Sequence, residues 1–108
     1  MRVALAALLL AACGAKDDPD VIAVLDLTGD ATAGADVYAD TCGQSSCHGP
    51  TGSDGGSGVD LAEHAPHHTD YELVDFTLNG VGSMPPVAVT PQEAADVLAY
   101  LRETFAEG

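Results

Sequence analysis

Two thiols and an imidazole stand within seven residues of one another in Cys42-Gly43-Gln44-Ser45-Ser46-Cys47-His48. Thiolates are nucleophiles and soft metal ligands, and imidazole is a general-purpose ligand for transition metals. Three chemistries are open to such a cluster. It can close a small disulfide loop, clip a zinc or copper ion, or bond covalently to a cofactor whose metal the histidine takes. A second candidate ligand is Met84, in Gly80-Val81-Gly82-Ser83-Met84-Pro85-Pro86. Its thioether is the only one besides that of Met1. A methionine beside prolines is often loop packing and nothing more. His64, His67 and His68 form a third group. With the cysteines they would make a tetrahedral metal site; alone in a polar, proline-containing stretch they read as solvated surface groups.

The elements that must position these residues follow from capping and periodicity. Asp30 or Thr32 can cap a helix running to about Thr41, on which Gly34, Val37, Tyr38 and Thr41 share one face. Glycine there weakens the helix but lets a second helix come close. Gly49 to Gly58 holds five glycines and reads as a loop. Thr69 and Glu72 form a capping box for a helix that carries Leu73, Phe76 and Thr77 and ends at Asn79-Gly80. Thr90-Pro91-Gln92-Glu93 opens a last helix, with Ala94, Leu98, Leu101 and Phe105 as its apolar stripe. The run Val21 to Leu27 is too short for periodicity to decide between strand and buried helix, and its use would be to cover apolar surface. The expectation is a small all-α domain of three or four helices with long loops. Loops this long in so small a domain wrap something.

The chain has 108 residues, 46% of them hydrophobic, with two phenylalanines and no tryptophan. That suffices for one small domain, whose limited core calls for a staple such as a metal, a disulfide or a large apolar cofactor. The first residues stand apart from it. Met1-Arg2 is followed by an apolar run from Val3 to Ala12, too short to span a membrane, and then by Cys13. This order is that of an export signal. Leu10-Ala11-Ala12-Cys13 also resembles the bacterial lipoprotein box, which implies cleavage before Cys13 and a lipid on it; an ordinary signal cut after Ala12 or Ala15 is the alternative. Removing Cys13 from the three cysteines leaves Cys42 and Cys47 as a pair, in a compartment that permits disulfides or thioethers. The expected division is residues 1–12 signal, 13–29 lipidated N-terminus and tether, and 30–108 folded domain.

Charge narrows the partners. The formal net charge is −14, and a cleaved chain loses Arg2 as well. Nucleic acid is excluded as a partner by repulsion. Such a field favours a partner with a basic docking face, or serves only to keep a surface protein soluble.

Cys-x4-Cys-His is the covalent haem-attachment signature Cys-x-x-Cys-His lengthened by two residues. With it the parts come in the order of the class I cytochromes c, which the chain resembles over about Asp30 to Phe105. These parts are Gly34 and Tyr38 before the motif, Cys47-His48-Gly49, the helix over 70–79, Met84-Pro85, and Tyr100-Leu101. The resemblance implies one covalent haem c. Cys42 and Cys47 would be bonded to its vinyl groups, with His48 as proximal and Met84 as distal iron ligand. That ligand pair raises the potential and leaves no open coordination site, as suits electron transfer rather than catalysis. The chain departs from the family in the two added residues. On a regular helix, cysteines three apart lie about 60° from each other and cysteines five apart about 140°. Two residues must therefore loop out, with Gly43 expected to begin the bulge through a positive φ. Attachment through Cys47 alone, with Gln44 in the place of the first cysteine, is the variant of this reading. One of His64, His67 or His68 could replace Met84 and lower the potential. The reading as a whole is a membrane-anchored electron carrier of a bacterial cell envelope, facing the periplasm or the exterior. Its rival is an envelope lipoprotein with a Cys42–Cys47 disulfide or a Cys/His metal site and no haem; a peroxidase-like haem is a distant third.

Overall fold

The computed structural model describes residues 17–44, 47–53 and 60–105. Five α-helices account for most of them: α1 Pro19–Leu25, α2 Ala31–Asp40, α3 Leu61–His64, α4 Asp70–Asn79 and α5 Pro91–Thr104, with a 3-10 turn at Ala65–His67. Among the described residues there is no named strand, only an isolated bridge between Val81 and Met84. The expected small all-α architecture is what the chain adopts.

Each helix begins where the side chains dictate. Asp30 accepts from the backbone N–H groups of Thr32 and Ala33 at 2.9 and 3.3 Å, which starts α2. Thr69 with Glu72, and Thr90 with Glu93, form reciprocal capping boxes at α4 and α5. Each cap satisfies donors that would otherwise be left without partners, at about 1 kcal/mol apiece. Gly80, with φ of 79°, ends α4 in a conformation other side chains resist.

Helices α2 and α5 form the main scaffold. A Cβ on Gly34 would overlap the Asp96 carbonyl, so the two backbones touch there and only glycine fits. The close approach expected from a glycine on α2 is therefore present. Around it lie Tyr38, Ala65, Val97, Leu101 and Phe105, all buried. Tyr38 and Tyr100 pack with ring centroids 5.1 Å apart.

The apolar run is helix rather than strand from Val21 to Leu25, and Leu27 lies beyond the helix end. Asp18 caps the helix by accepting from Asp20 N–H at 2.9 Å, and Pro19 occupies the first turn. Residues from Asp18 onward thus pack on the domain, within the stretch expected to be tether. Val21 and Val24 bury against Val74, Ala94 and Ala95 in a second apolar cluster. Tyr71 Oη accepts from Asp18 N–H at 2.9 Å and ties the helix start to α4.

The histidine-bearing stretch is more ordered than its composition suggests. Asp60 accepts from Ala62 N–H and from the Ser53 hydroxyl, at 2.9 and 2.7 Å. These contacts, the serine hydroxyl foremost, hold its carboxyl below the usual carboxylate range. Leu61 N–H donates to the Gly52 carbonyl at 2.9 Å, so the glycine-rich loop closes on itself at its base. Pro66 then turns the helix into the 3-10 segment.

Candidate functional site

A cleft of about 240 Å³, open at its mouth, lies between the segment after α2 and the α3–α4 region. One wall is Leu73, Phe76 and Thr77 of α4; Leu61 and Ala65 form a second, and Leu101 contributes from α5. Thr77 spends its hydroxyl on the Leu73 carbonyl at 2.8 Å, so α4 presents no unpaired polar group there. Into this largely apolar enclosure come Cys42, His48 and Met84. Side chains 42 residues apart in sequence thus share one surface.

The Cys42–His48 loop is held by backbone bonds. Gly43 N–H donates to the Tyr38 carbonyl at 2.7 Å, closing the end of α2. Cys47 N–H and Gly49 N–H both donate to the Gln44 carbonyl, at 2.9 and 3.0 Å, and His48 N–H donates to the Cys42 carbonyl at 3.1 Å. The Gln44 carbonyl thus gathers the backbone N–H groups of Cys47 and Gly49; Ser45 and Ser46 lie outside the described residues. Gln44 is exposed and its amide caps the Asp40 carbonyl at 3.1 Å. Tyr38 Oη donates to the Gly49 carbonyl at 2.8 Å and pins the far end of the loop.

The expected role of Gly43 needs correction. Its φ is not positive. Glycine is required because a Cβ would meet the Tyr38 ring at 2.6 Å. The constraint is contact with an aromatic ring and not conformational freedom.

His48 is 8% exposed. Cys42 is half-buried, and burial foremost pushes its thiol above the usual range, with Cys47 adding to the rise and a Thr41 hydroxyl contact at 3.4 Å opposing it. Cys47 is half-buried but is not among the residues lining the cleft. The two cysteines form no disulfide with each other.

Met84 is fixed by a reciprocal pair of backbone bonds with Val81, at 3.0 and 2.8 Å, and by Val87 N–H donating to the Thr77 carbonyl at 2.8 Å. The prolines are thus not the only restraint on this loop. Of the three rival histidines, His64 and His68 line the cleft and His67 is exposed away from it. His68 packs edge-on against Phe76 with ring centroids 5.1 Å apart, and its Nδ1 lies 3.4 Å from Glu72. Among the described residues no three His, Cys, Asp or Glu side chains gather at metal-binding spacing.

Composition and capping signals did not reveal the part played by Arg102. Its Nε donates to Asp70 at 2.6 Å, and its two terminal nitrogens donate to the carbonyls of Ala65 and His68 at 3.0 and 2.5 Å. One side chain of α5 therefore holds the histidine-bearing wall of the cleft. Its position one residue after Leu101 was the available signal.

The sequence pattern of the family described as cytochrome C oxidase, cbb3-type, subunit III matches residues 29–101. The chain belongs to this cytochrome c family. It is also 33% identical over 97 residues to cytochrome c-551 of Bacillus subtilis (strain 168), covering 88% of the chain and 84% of that protein. No solved structure matches. Membership carries haem-based electron transfer and a covalently bound haem c. The residues present fit that group: an apolar cleft, a buried imidazole, a thioether and a thiol, the donor types that hold and ligate a c-type haem. No described helix of this cytochrome is long and apolar enough to cross a membrane. Cys13 and the rest of the expected signal lie outside the described residues.

Proposed function

We propose that this cytochrome carries electrons through one haem c. In this reading Cys42 and Cys47 make thioethers to the haem vinyl groups, and His48 and Met84 are the axial ligands. The observation that carries the ligand assignment is the meeting of His48 and Met84 in one apolar cleft. Cys42 lines the same cleft while Gln44 faces solvent, which supports Cys42 rather than Gln44 as the first attachment position. Bound haem supplies a one-electron couple at its iron. The chain's part is to hold that couple still and dry. Leu61, Leu73, Phe76 and Leu101 exclude water, and the Val81–Met84 bridge fixes the thioether before iron binds. Filling both axial positions leaves no place for a substrate.

In this reading a lipid on Cys13, at the segment that resembles the lipoprotein box, anchors the domain on the outside of a bacterial membrane. Acidic groups then set the choice of redox partner. Segment 80–92, which carries Met84 and the cleft-lining Val81, has no charged residue in a chain with 17 acids and three bases. A partner with a basic ring around an apolar centre suits this face, and the charges act mainly on encounter rate.

Met84→Ala in the haem-loaded protein tests the ligand assignment. The expected result is loss of the low-spin visible spectrum and a fall in potential. An unchanged low-spin spectrum would hand the distal position to His64 or His68.

A further inference from the structure

Among the described residues four large apolar side chains are exposed by more than a third: Ile22, Leu25, Leu27 and Val81. Val81 lines the cleft. The other three fall within six residues, on α1 and its exit. The helix is apolar from Val21 through Leu25, so its apolar surface is not confined to one stripe. Val21 and Val24 face inward, and Ile22 and Leu25 remain outside. A helix apolar on every side belongs in an interior, yet the domain covers only part of this one.

Where α1 sits determines what can cover it. Helix α4 turns Leu73, Phe76 and Thr77 toward the cleft and Tyr71, Val74 and Leu78 toward the cluster that holds α1. On a regular helix those two sets lie roughly 140° apart. So α1 is packed on the back of the cleft wall. Five residues separate Cys13 from Pro19, so the two are within about 20 Å when the chain is fully extended.

We propose that α1 and Leu27 lie on the lipid surface to which Cys13 is anchored, with Ile22, Leu25 and Leu27 at the boundary between headgroups and acyl chains. This rests on the lipidation of Cys13 proposed above. The anchor confines the helix to the surface, and the three side chains orient it. Stable, oriented attachment commonly needs such a second signal beside the acyl chain. Its consequence is directional: with α1 down, the haem cleft faces away from the bilayer, toward partner domains in the aqueous space. Asp17, Asp20 and Asp26 are exposed around the patch. They are repelled by anionic headgroups, so the surface that fits is a zwitterionic one.

Leu25→Cys and, as a control on the cleft side, Ala62→Cys provide sites for nitroxide labels in the lipidated, haem-loaded protein. Each is compared on phosphatidylcholine vesicles and, in a Cys13→Ser background, free in solution. The measured quantity is the ratio of collisions with oxygen to collisions with a water-soluble nickel chelate. At position 25 that ratio should rise severalfold on vesicles, fall as phosphatidylglycerol is added, and stay unchanged at position 62. Co-flotation with the vesicles together with a water-exposed label at 25 would overturn the orientation and leave the anchor standing. Failure to co-float would remove the anchor and the proposal with it. A label at 25 already shielded in solution would also overturn it, with a doubled mass assigning the patch to a second copy and an uncut mass assigning it to the Val3–Ala12 run.

Discussion

The α2–α5 crossing and the apolar cleft are built by opposite means. At the crossing, backbone meets backbone: Gly34 and Gly29 leave no room for a Cβ against the Asp96 and Ala95 carbonyls. Buried Asp96 completes the joint by accepting from Asp30 N–H and the Gln92 amide, both at 2.9 Å. The cleft instead carries its candidate ligands on loops and short turns set against helix walls, each pinned by a few bonds: Tyr38 on Gly49, Val81 with Met84, Arg102 on Ala65 and His68. The difference separates stability from function. A change at the crossing should destroy the fold before haem enters, whereas a change at the pins should leave a folded domain with an altered site.

The largest effect is expected from Gly34→Val. With backbone on the opposing side, the chain cannot relieve the overlap cheaply, and overpacking of this kind costs about 3 kcal/mol or more. Circular dichroism of the haem-free protein should show loss of the native helix signal; a folded variant would dissolve the contrast. Asp96→Ala comes next. It strands Asp30 N–H at the crossing and leaves the Gln92 amide only its bond to the Thr28 carbonyl, at about 2 kcal/mol, read as a lower midpoint of denaturant unfolding. Arg102→Gln should cost about 1 kcal/mol, because its pair with Asp70 is solvent-exposed. It should nonetheless shift the haem potential by loosening the histidine-bearing wall, which protein-film voltammetry would read; a stability loss with no shift would make it a scaffold residue. Tyr38→Phe should have the smallest effect, about 1 kcal/mol for the bond to Gly49, with slower haem attachment than the parent chain.

The crossing was largely written in the sequence, and the cleft only in part. Asp30, Thr69 and Thr90 announce helix starts because capping is a local interaction, and Gly34 in a helix announces a close neighbour. That Cys42, His48 and Met84 share one cleft follows the expected order of the parts. What was not legible depended on tertiary contact. Val21–Leu27 could not be assigned because a short apolar run carries no usable period. Gly43 was assigned the wrong reason, since a clash with the Tyr38 ring is invisible until the chain folds back. Arg102 and Asp96 each look like an ordinary helix-surface charge until the elements they join are placed.

Electron transfer in this reading depends on a haem held by Cys42 and Cys47. The most direct test is the mass of the peptide containing residues 42–48, taken from protein made with haem-attachment machinery, extracted with acid-acetone and treated with iodoacetamide. One haem on the peptide and no alkylated cysteine is the predicted result. A haem with one alkylated cysteine would leave a single thioether, and a haem-free peptide with both cysteines alkylated would contradict the account.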